Sequence, residues 1–295
     1  MRRVLITGAN SYIGVSFEEY VRTHYSSEIS ISTIDMRDGS WKQKDFSEYD
    51  VVFHVAGIAH VDLKKADTEI RNLYYSVNTD LAIDTARKAK KEKVSQFIFM
   101  SSAIIYGESA PYGVKKVITA ETSPAPANYY GDSKWQADKG IQELENQNFK
   151  VCILRPPMIY GRNSKGNYPL LSKIARKMPV FPDVENERSM LYIENLCEFL
   201  CQIIMRGKRG IFWPQNAEYT KTSDMVKMIS NVLGHRIFVT KALNWTVAFA
   251  SHFPGKVSQI TNKAFGNLSY DQKMSQYDFV YQCVDLNTSI ERTEA

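Results

Sequence analysis

Apolar and polar positions fall into alternating blocks along the first half of the chain. Short runs rich in β-branched residues, "RVLITGA", "ISISTIDM", "DVVFHVAG", "SQFIFMSSA" and "KVCILRPP", stand between longer stretches with helical spacing. Those stretches are "YIGVSFEEYVRTHY", "LYYSVNTDLAIDTARKAKKEK" and a segment that starts near Tyr129. Continuous apolar strands between helices predict a parallel sheet covered on both faces. Right-handed crossovers then make it an α/β fold with a doubly wound parallel sheet.

The texture changes after Gly161. "GRNSKGNYPLL" and "RKMPVFPDVENERS" are rich in Pro, Asn and charge, and predict loops around a short helix. "MLYIENLCEFLCQIIMRG" reads as a strand end plus a helix, and "GIFWPQ" as another strand. The expected division is a sheet domain over 1–160, with 189–213 returning to it. A smaller, irregular α/β region takes 161–188 and 214–295. "NWTVAFASHF" is apolar but short, and reads as a packed or interfacial helix. No run approaches the roughly 18 apolar residues of a membrane span, so no membrane insertion is expected.

Composition narrows the partners. The 295 residues are 44% hydrophobic and 23% charged, with a net charge of +5, as for an ordinary soluble globular enzyme. No dense basic tract carries interleaved aromatics, so nucleic acid is not an expected partner. Cys152, Cys197, Cys201 and Cys283 are scattered. Cys197 and Cys201 lie i, i+4 in an apolar helix without accompanying His, which reads as core thiols rather than a metal site. The chain enters "RRVLITG" without an apolar leader, and no disulfide framework is visible, so a cytoplasmic location is expected.

"VLITGANSYIG" holds the first candidate chemistry. A strand, a glycine turn and a helix N-terminus bring backbone N–H groups to one point, which attracts a pyrophosphate. Gly8 permits the turn and Gly14 lets the helix lie on the strand, but Ser11 stands where a middle glycine is usual. Its N–H can face phosphate and its hydroxyl can cap the helix. Asn10, Tyr12 and Ile13 complete the turn. Asp35 follows the second strand, 21 positions after Gly14, where an acid accepts hydrogen bonds from a ribose and repels a 2′-phosphate. That favours NAD; Arg37, two residues on, softens the preference and keeps NADP open.

"NYYGDSKWQAD" places Tyr130 and Lys134 on one helix face. A nearby ammonium favours phenolate, which makes a Tyr a usable base. "FMSSAIIYG" puts Ser101 and Ser102 at a strand's carboxyl end, where such sheets bind ligands. Each feature alone is an ordinary helix face or cap; together they point to catalysis.

In order and spacing, "TGANSYIG", "DVVFHVAG", "FMSSAIIYG", "YYGDSKWQAD" and "LRPPMIYG" resemble the extended short-chain dehydrogenase/reductase family, in its nucleotide-sugar epimerase, dehydratase and reductase branch. The resemblance implies a Rossmann sheet, with Ser102, Tyr130 and Lys134 catalytic. It implies that Val55, Ala56, Gly57, Asn78 and Pro157 line the cofactor, as do Tyr130 and Lys134. It places a nucleotide sugar on Ser102, Tyr130 and Arg188, with Lys165 and Asn167 as further contacts. No metal is expected. Tyr168, Trp213 and Trp245 could stack on a base or sugar, with core packing as the default. A homodimer through helices 78–92 and 129–147 is also implied, although the same apolar faces suit sheet-facing core.

The reaction is narrowed by two residues. The family's 4,6-dehydratases carry Asp-Glu directly after the catalytic hydroxyl; here Ala103 and Ile104 stand there. An NAD-dependent 4-epimerase acting on a UDP-hexose or UDP-N-acetylhexosamine, in surface polysaccharide synthesis, is the favoured expectation. An NAD(P)H-dependent 4-keto-sugar reductase is the alternative. A non-catalytic NAD(P)-binding regulator is the remaining one.

Overall fold

The computed structural model describes residues 1–59, 66–253 and 255–295. The first half runs β1 (Arg2–Thr7), α1 (Tyr12–His24), β2 (Ile29–Ile34), β3 (Val51–His54), α2 (Asp67–Tyr74), α3 (Leu81–Lys91), β4 (Gln96–Met100), β5 (Val117–Ile118), α4 (Tyr129–Gln142) and β6 (Lys150–Leu154). The second half runs β7 (Met158–Tyr160), α5 (Tyr168–Lys177), β8 (Val180–Pro182), β9 (Met190–Tyr192), α6 (Ile193–Met205), β10 (Gly210–Phe212), α7 (Thr222–Val232), β11 (Phe238–Thr240), α8 (Asn244–His252), α9 (Lys256–Phe265), β12 (Ser269–Tyr270) and α10 (Leu286–Glu294).

Six strands form one parallel sheet in the order β10-β6-β4-β3-β1-β2. The order reverses at β1 and β3, the switch point where such sheets open a ligand crevice. Strand periodicity sends alternate side chains to opposite faces. Val4, Ile6, Phe53, Ile98, Cys152 and Leu154 join one core cluster with Phe199 and Leu200 of α6. Leu5, Val52, Phe97, Phe99, Val151 and Ile153 join another with Ala82, Ala86, Ala89, Ala137 and Ile141 of α3 and α4. Each large side chain buried this way contributes about 1.5–3 kcal/mol. The buried faces of α3 and α4 therefore serve the chain's own sheet. Cys197 and Cys201 are free, buried thiols on the inner face of α6.

The long helix differs from its sequence expectation. It starts at Asp67 and widens into a π turn over Tyr75–Asp80 before continuing as α3. The widened turn carries two side chains tied to other elements. Asn78 Nδ2 donates to Ile58 O at 2.9 Å and to Ser133 Oγ at 3.1 Å. Thr79 Oγ1 donates to Ser133 O at 2.7 Å. Such turns frequently mark functional positions.

Among the described residues the strands outside the main sheet pair in twos, β7 with β9, β8 with β11 and the early β5 with β12. Side chains take over the joining. Asn216 Oδ1 accepts from Tyr192 N at 2.9 Å and from Asn195 Nδ2 at 3.1 Å. Asn267 Oδ1 accepts from Glu187 N at 2.7 Å, and its Nδ2 donates to Val114 O at 2.8 Å.

Candidate active site

The carboxyl end of β1 turns at Gly8, whose φ is +111°. A Cβ there would sit 2.8 Å from the Ala56 amide nitrogen, so only glycine fits without displacing the neighbouring strand's loop. Gly8 N and Ala9 N both donate to Ile34 O, at 2.9 and 3.1 Å. Asn10 adopts a left-handed φ of 64°. Ser11 is the N-cap of α1, with its Oγ accepting from Gly14 N at 3.2 Å. Its own N–H donates to Gly8 O at 3.2 Å, so it faces back into the turn rather than outward. The outward N–H groups of this helix end are those of Tyr12 and Ile13, which lack intrahelical partners by position. A Cβ on Gly14 would lie 3.3 Å from Ile6 Cγ2, which records how closely α1 lies on β1.

Asp35 emerges just beyond β2. The Arg37 guanidinium closes over it, with Nε donating to both carboxylate oxygens at 3.0 Å and the Arg37 amide donating to Oδ1 at 2.9 Å. These hydrogen bonds lower the Asp35 pKa to about 2, so the carboxylate stays ionised at neutral pH.

Across the switch point, Val55 N and Ala56 N donate to Thr7 O at 3.1 and 2.9 Å. Asn78 Oδ1 accepts from Ile58 N at 2.8 Å, which fixes the loop through Gly57. A Cβ on Gly57 would stand 3.0 Å from Asn78 Oδ1 and 3.1 Å from Lys134 Nζ. The loop after β3, the π turn and α4 thus meet at one place.

Helix α4 is capped by Asn128, whose Oδ1 accepts from Gly131 N at 2.9 Å. This sets Tyr130 in the first turn and Lys134 one turn later. Ser102 follows β4, its Oγ accepting from Ile104 N at 3.3 Å. The Ser102 hydroxyl beside Tyr130 acts to lower the phenol's pKa, but burial outweighs it and holds the pKa above its ordinary value. The fully buried Lys134 ammonium donates to Met100 O at 2.9 Å and lies over the Phe99 ring. Desolvation lowers its pKa to about 8. Below it, Asp138 and Arg155 form a buried two-pronged pair at 2.9 and 3.0 Å, and Ser101 Oγ donates to Asp138 Oδ2 at 3.0 Å. Ser101 is therefore structural, and Ser102 is the serine that faces the open space.

That open space is a cavity of about 600 Å³. Ser102, Ala103, Ile104, Tyr130 and Pro157 line it, together with Asn167 and Arg188. A second cavity of about 250 Å³ adjoins it, sharing Met158, Asn167, Arg188, Ile260 and Lys263. Arg188 Nη1 donates to Gly266 O at 2.9 Å and Lys263 O at 3.1 Å. No carboxylate pairs with it among the described residues, and burial lowers its pKa to about 10. Lys165 is exposed and lines neither cavity, because the positive-φ turn at Gly166 separates it from Asn167. Tyr168 stacks on Tyr160 in the core and Trp213 donates to Tyr106 OH at 2.9 Å; Trp245 is exposed. The cavity also takes Tyr74, Ser109 and Lys263, which no motif in the sequence announced.

A doubly wound parallel sheet with a glycine turn after its first strand is the dinucleotide-binding class of α/β protein. Residues 4–212 match the model of the NAD dependent epimerase/dehydratase family, and the chain belongs to that family. It is 29% identical over 227 residues to the UDP-glucose 4-epimerase of Vibrio cholerae, covering 75% of this chain and 68% of the relative. It is 30% identical over 215 residues to the N-acetyl-alpha-D-glucosaminyl-diphospho-ditrans,octacis-undecaprenol 4-epimerase of Escherichia coli O157:H7, covering 67% of this chain and 61% of the relative. The structure of a UDP-glucuronic acid 4-epimerase from Bacillus cereus in complex with NAD shares the fold, with TM-score 0.72, 17% identity and coverage of 99% and 97%.

Proposed function

We propose that the chain is an NAD-dependent 4-epimerase of UDP-hexoses or their N-acetyl forms. One observation carries the reading: Ser102 and Tyr130 line one cavity with Ala103, Ile104 and Arg188, and no carboxylate pairs with Arg188 among the described residues. That cavity suits a sugar diphosphate, with its sugar at the hydroxyl pair and its phosphates on the guanidinium fork.

The residues at the switch point fit NAD. The turn from Gly8 to Gly14 is a cradle that a Cβ at Gly8 would fill, and its helix end suits a pyrophosphate. Asp35 offers an ionised acceptor to a ribose. Val55, Ala56, Gly57, Asn78 and Pro157 would border the ring-bearing half, with Asn10, Ser11, Tyr12 and Ile13 around the phosphates. When bound, NAD supplies an acceptor, and afterwards a donor, for the C4 hydride.

The chain's own residues do the rest. Tyr130 takes the C4 hydroxyl proton as that carbon is oxidised, and returns it on reduction. Ser102 hydrogen-bonds the same sugar oxygen and holds it toward the phenol. Burial raises the Tyr130 pKa, so forming its phenolate would draw on nearby positive charge, the Lys134 ammonium and the oxidised ring. Arg188 and Asn167 hold the diphosphate while the 4-keto sugar turns over. Ala103 and Ile104 provide neither acid nor base, so elimination of water across C5 and C6 has no catalyst here. The two 4-epimerase relatives support the same choice.

Incubation with UDP-glucose, UDP-GlcNAc and trace NAD, followed by proton NMR, tests this. Interconversion of 4-epimers without net cofactor consumption is expected. One observation favours a second reading, a 4-keto-sugar reductase: Arg37 closes over Asp35 and offers a cation to a 2′-phosphate. Stoichiometric NADPH loss with a UDP-4-keto sugar, and no interconversion, would select it.

A further inference from the structure

We propose that α8 and α9 form a docking face for an anionic lipid surface, at the mouth of the cavity. Three observations converge on this face. The first is exposure. Trp245, Phe249 and Phe253, spaced i, i+4, i+8, are 68%, 64% and 47% exposed, and Val257 and Ile260 continue the apolar run. All the exposed Phe and Trp among the described residues fall between Phe238 and Phe253. Single exposed apolar side chains are common, but a clustered run marks an interaction site.

The second observation is charge. Residues 225–270 contain no Asp or Glu, but they hold Lys227, Arg236, Lys241, Lys256 and Lys263. These five cations equal the chain's whole net charge of +5, and the rest of the chain is neutral overall. Two of the five, Lys256 and Lys263, lie on α9, and neither α8 nor α9 carries an acid; exposed aromatic and aliphatic side chains beside basic residues and no acids fit an anionic interface. A protein partner would need no such exclusion of acids.

The third observation is placement. The inner side of the helix pair is anchored: Asn244 Nδ2 donates to Asp183 O at 2.8 Å, and Phe265 packs on Phe181. The outer side is left to face away from the body. Ile260, 62% exposed, also lines both cavities, and Lys263 lines them too. The apolar run therefore continues into the opening that leads to Arg188. Neither helix is long enough to cross a bilayer; the face lies on the surface. Docked this way, the cavity mouth is turned toward the lipid.

Vesicle flotation of the full chain tests the proposal, with phosphatidylcholine vesicles against mixed phosphatidylcholine and phosphatidylglycerol vesicles. Binding to the anionic vesicles is expected to be stronger on the order of tenfold or more, and to weaken at about 0.5 M salt. Trp245 emission should shift to the blue on binding, and Trp245→Phe should abolish the shift. The triple variant Trp245→Ser, Phe249→Ser, Phe253→Ser should keep its circular dichroism and its turnover of soluble substrates, yet fail to float. Equal binding of parent and triple variant, or no binding by the parent, would overturn the proposal. So would a parent dimer that the triple variant converts to monomer without any vesicle binding, since the face would then belong to a second copy. None of these readouts depends on the reaction, so failure here is separable from failure of the proposed activity.

Discussion

The crevice at the switch point and the cavity wall built by the second half of the chain are held in place by different means. At the crevice, backbone ladders do the positioning: Gly8, Ala56 and Ser102 each follow directly from a strand of the six-stranded sheet. At that wall, Arg188, Asn167 and Lys263 sit on short elements tied by side chains such as Asn186, Asn216 and Asn267. A ladder fixes many residues at once, whereas a side-chain tie fixes one. On the proposed reading, catalytic geometry is placed on the stiff half and substrate selection on the adjustable half, where loops can vary without disturbing the sheet.

The largest effects should come from the stiff half. Tyr130→Phe is expected to lower kcat by about 10²–10⁴ while leaving the urea midpoint nearly unchanged, since it removes only the proton-transfer oxygen. A full-rate variant would break the catalytic assignment of that half. Arg155→Met should cost about 3–5 kcal/mol in urea unfolding, because it leaves the buried Asp138 carboxylate uncompensated. A loss well below that would mean α4 is held by packing alone.

Lys134 gives a pH test of intermediate size. Its folded pKa of about 8 lies below the ordinary 10.5. Between these values the unfolded chain binds more protons, so this group makes stability rise with pH. In the ligand-free protein, Lys134→Met should therefore be the more stable at pH 7, by up to about 3 kcal/mol. That advantage should shrink as the pH climbs from about 8 toward 10.5. Urea unfolding at several pH values checks it, and a constant difference would contradict a buried ammonium. The smallest expected effect is Ser11→Gly. Its N-cap bond to Gly14 is lost, at a few tenths of a kcal/mol. Calorimetric NAD binding should stay within about tenfold of the parent, because the Ser11 N–H is turned into the turn.

Legibility in the sequence follows the same division. The strand runs, the glycine turn and Tyr130 with Lys134 were readable, because period two and the i, i+4 relation are local. Local spacing did not disclose that Lys134 bonds Met100 O, thirty-four residues away, or that Asn78 widens its helix to reach Ile58. Ser109 and Lys263 meet Arg188 at the cavity through pairings that bridge 79 and 75 residues, and no short motif records those. The family resemblance of its loop points Lys165 toward the substrate, whereas its side chain is exposed and lines neither cavity. The exposed run from Trp245 to Ile260 was visible as an apolar stretch; its outward orientation became visible only once its anchors were placed.

The central claim is oxidation and re-reduction at C4 within one site. It is tested most directly with UDP-GlcNAc carrying deuterium at C4 and only trace NAD. The account predicts that the inverted product retains deuterium at C4, because the same hydride leaves and returns. Inversion with loss of the label to solvent, or no inversion of any UDP-hexose while a 4-keto sugar consumes NAD(P)H stoichiometrically, would contradict it.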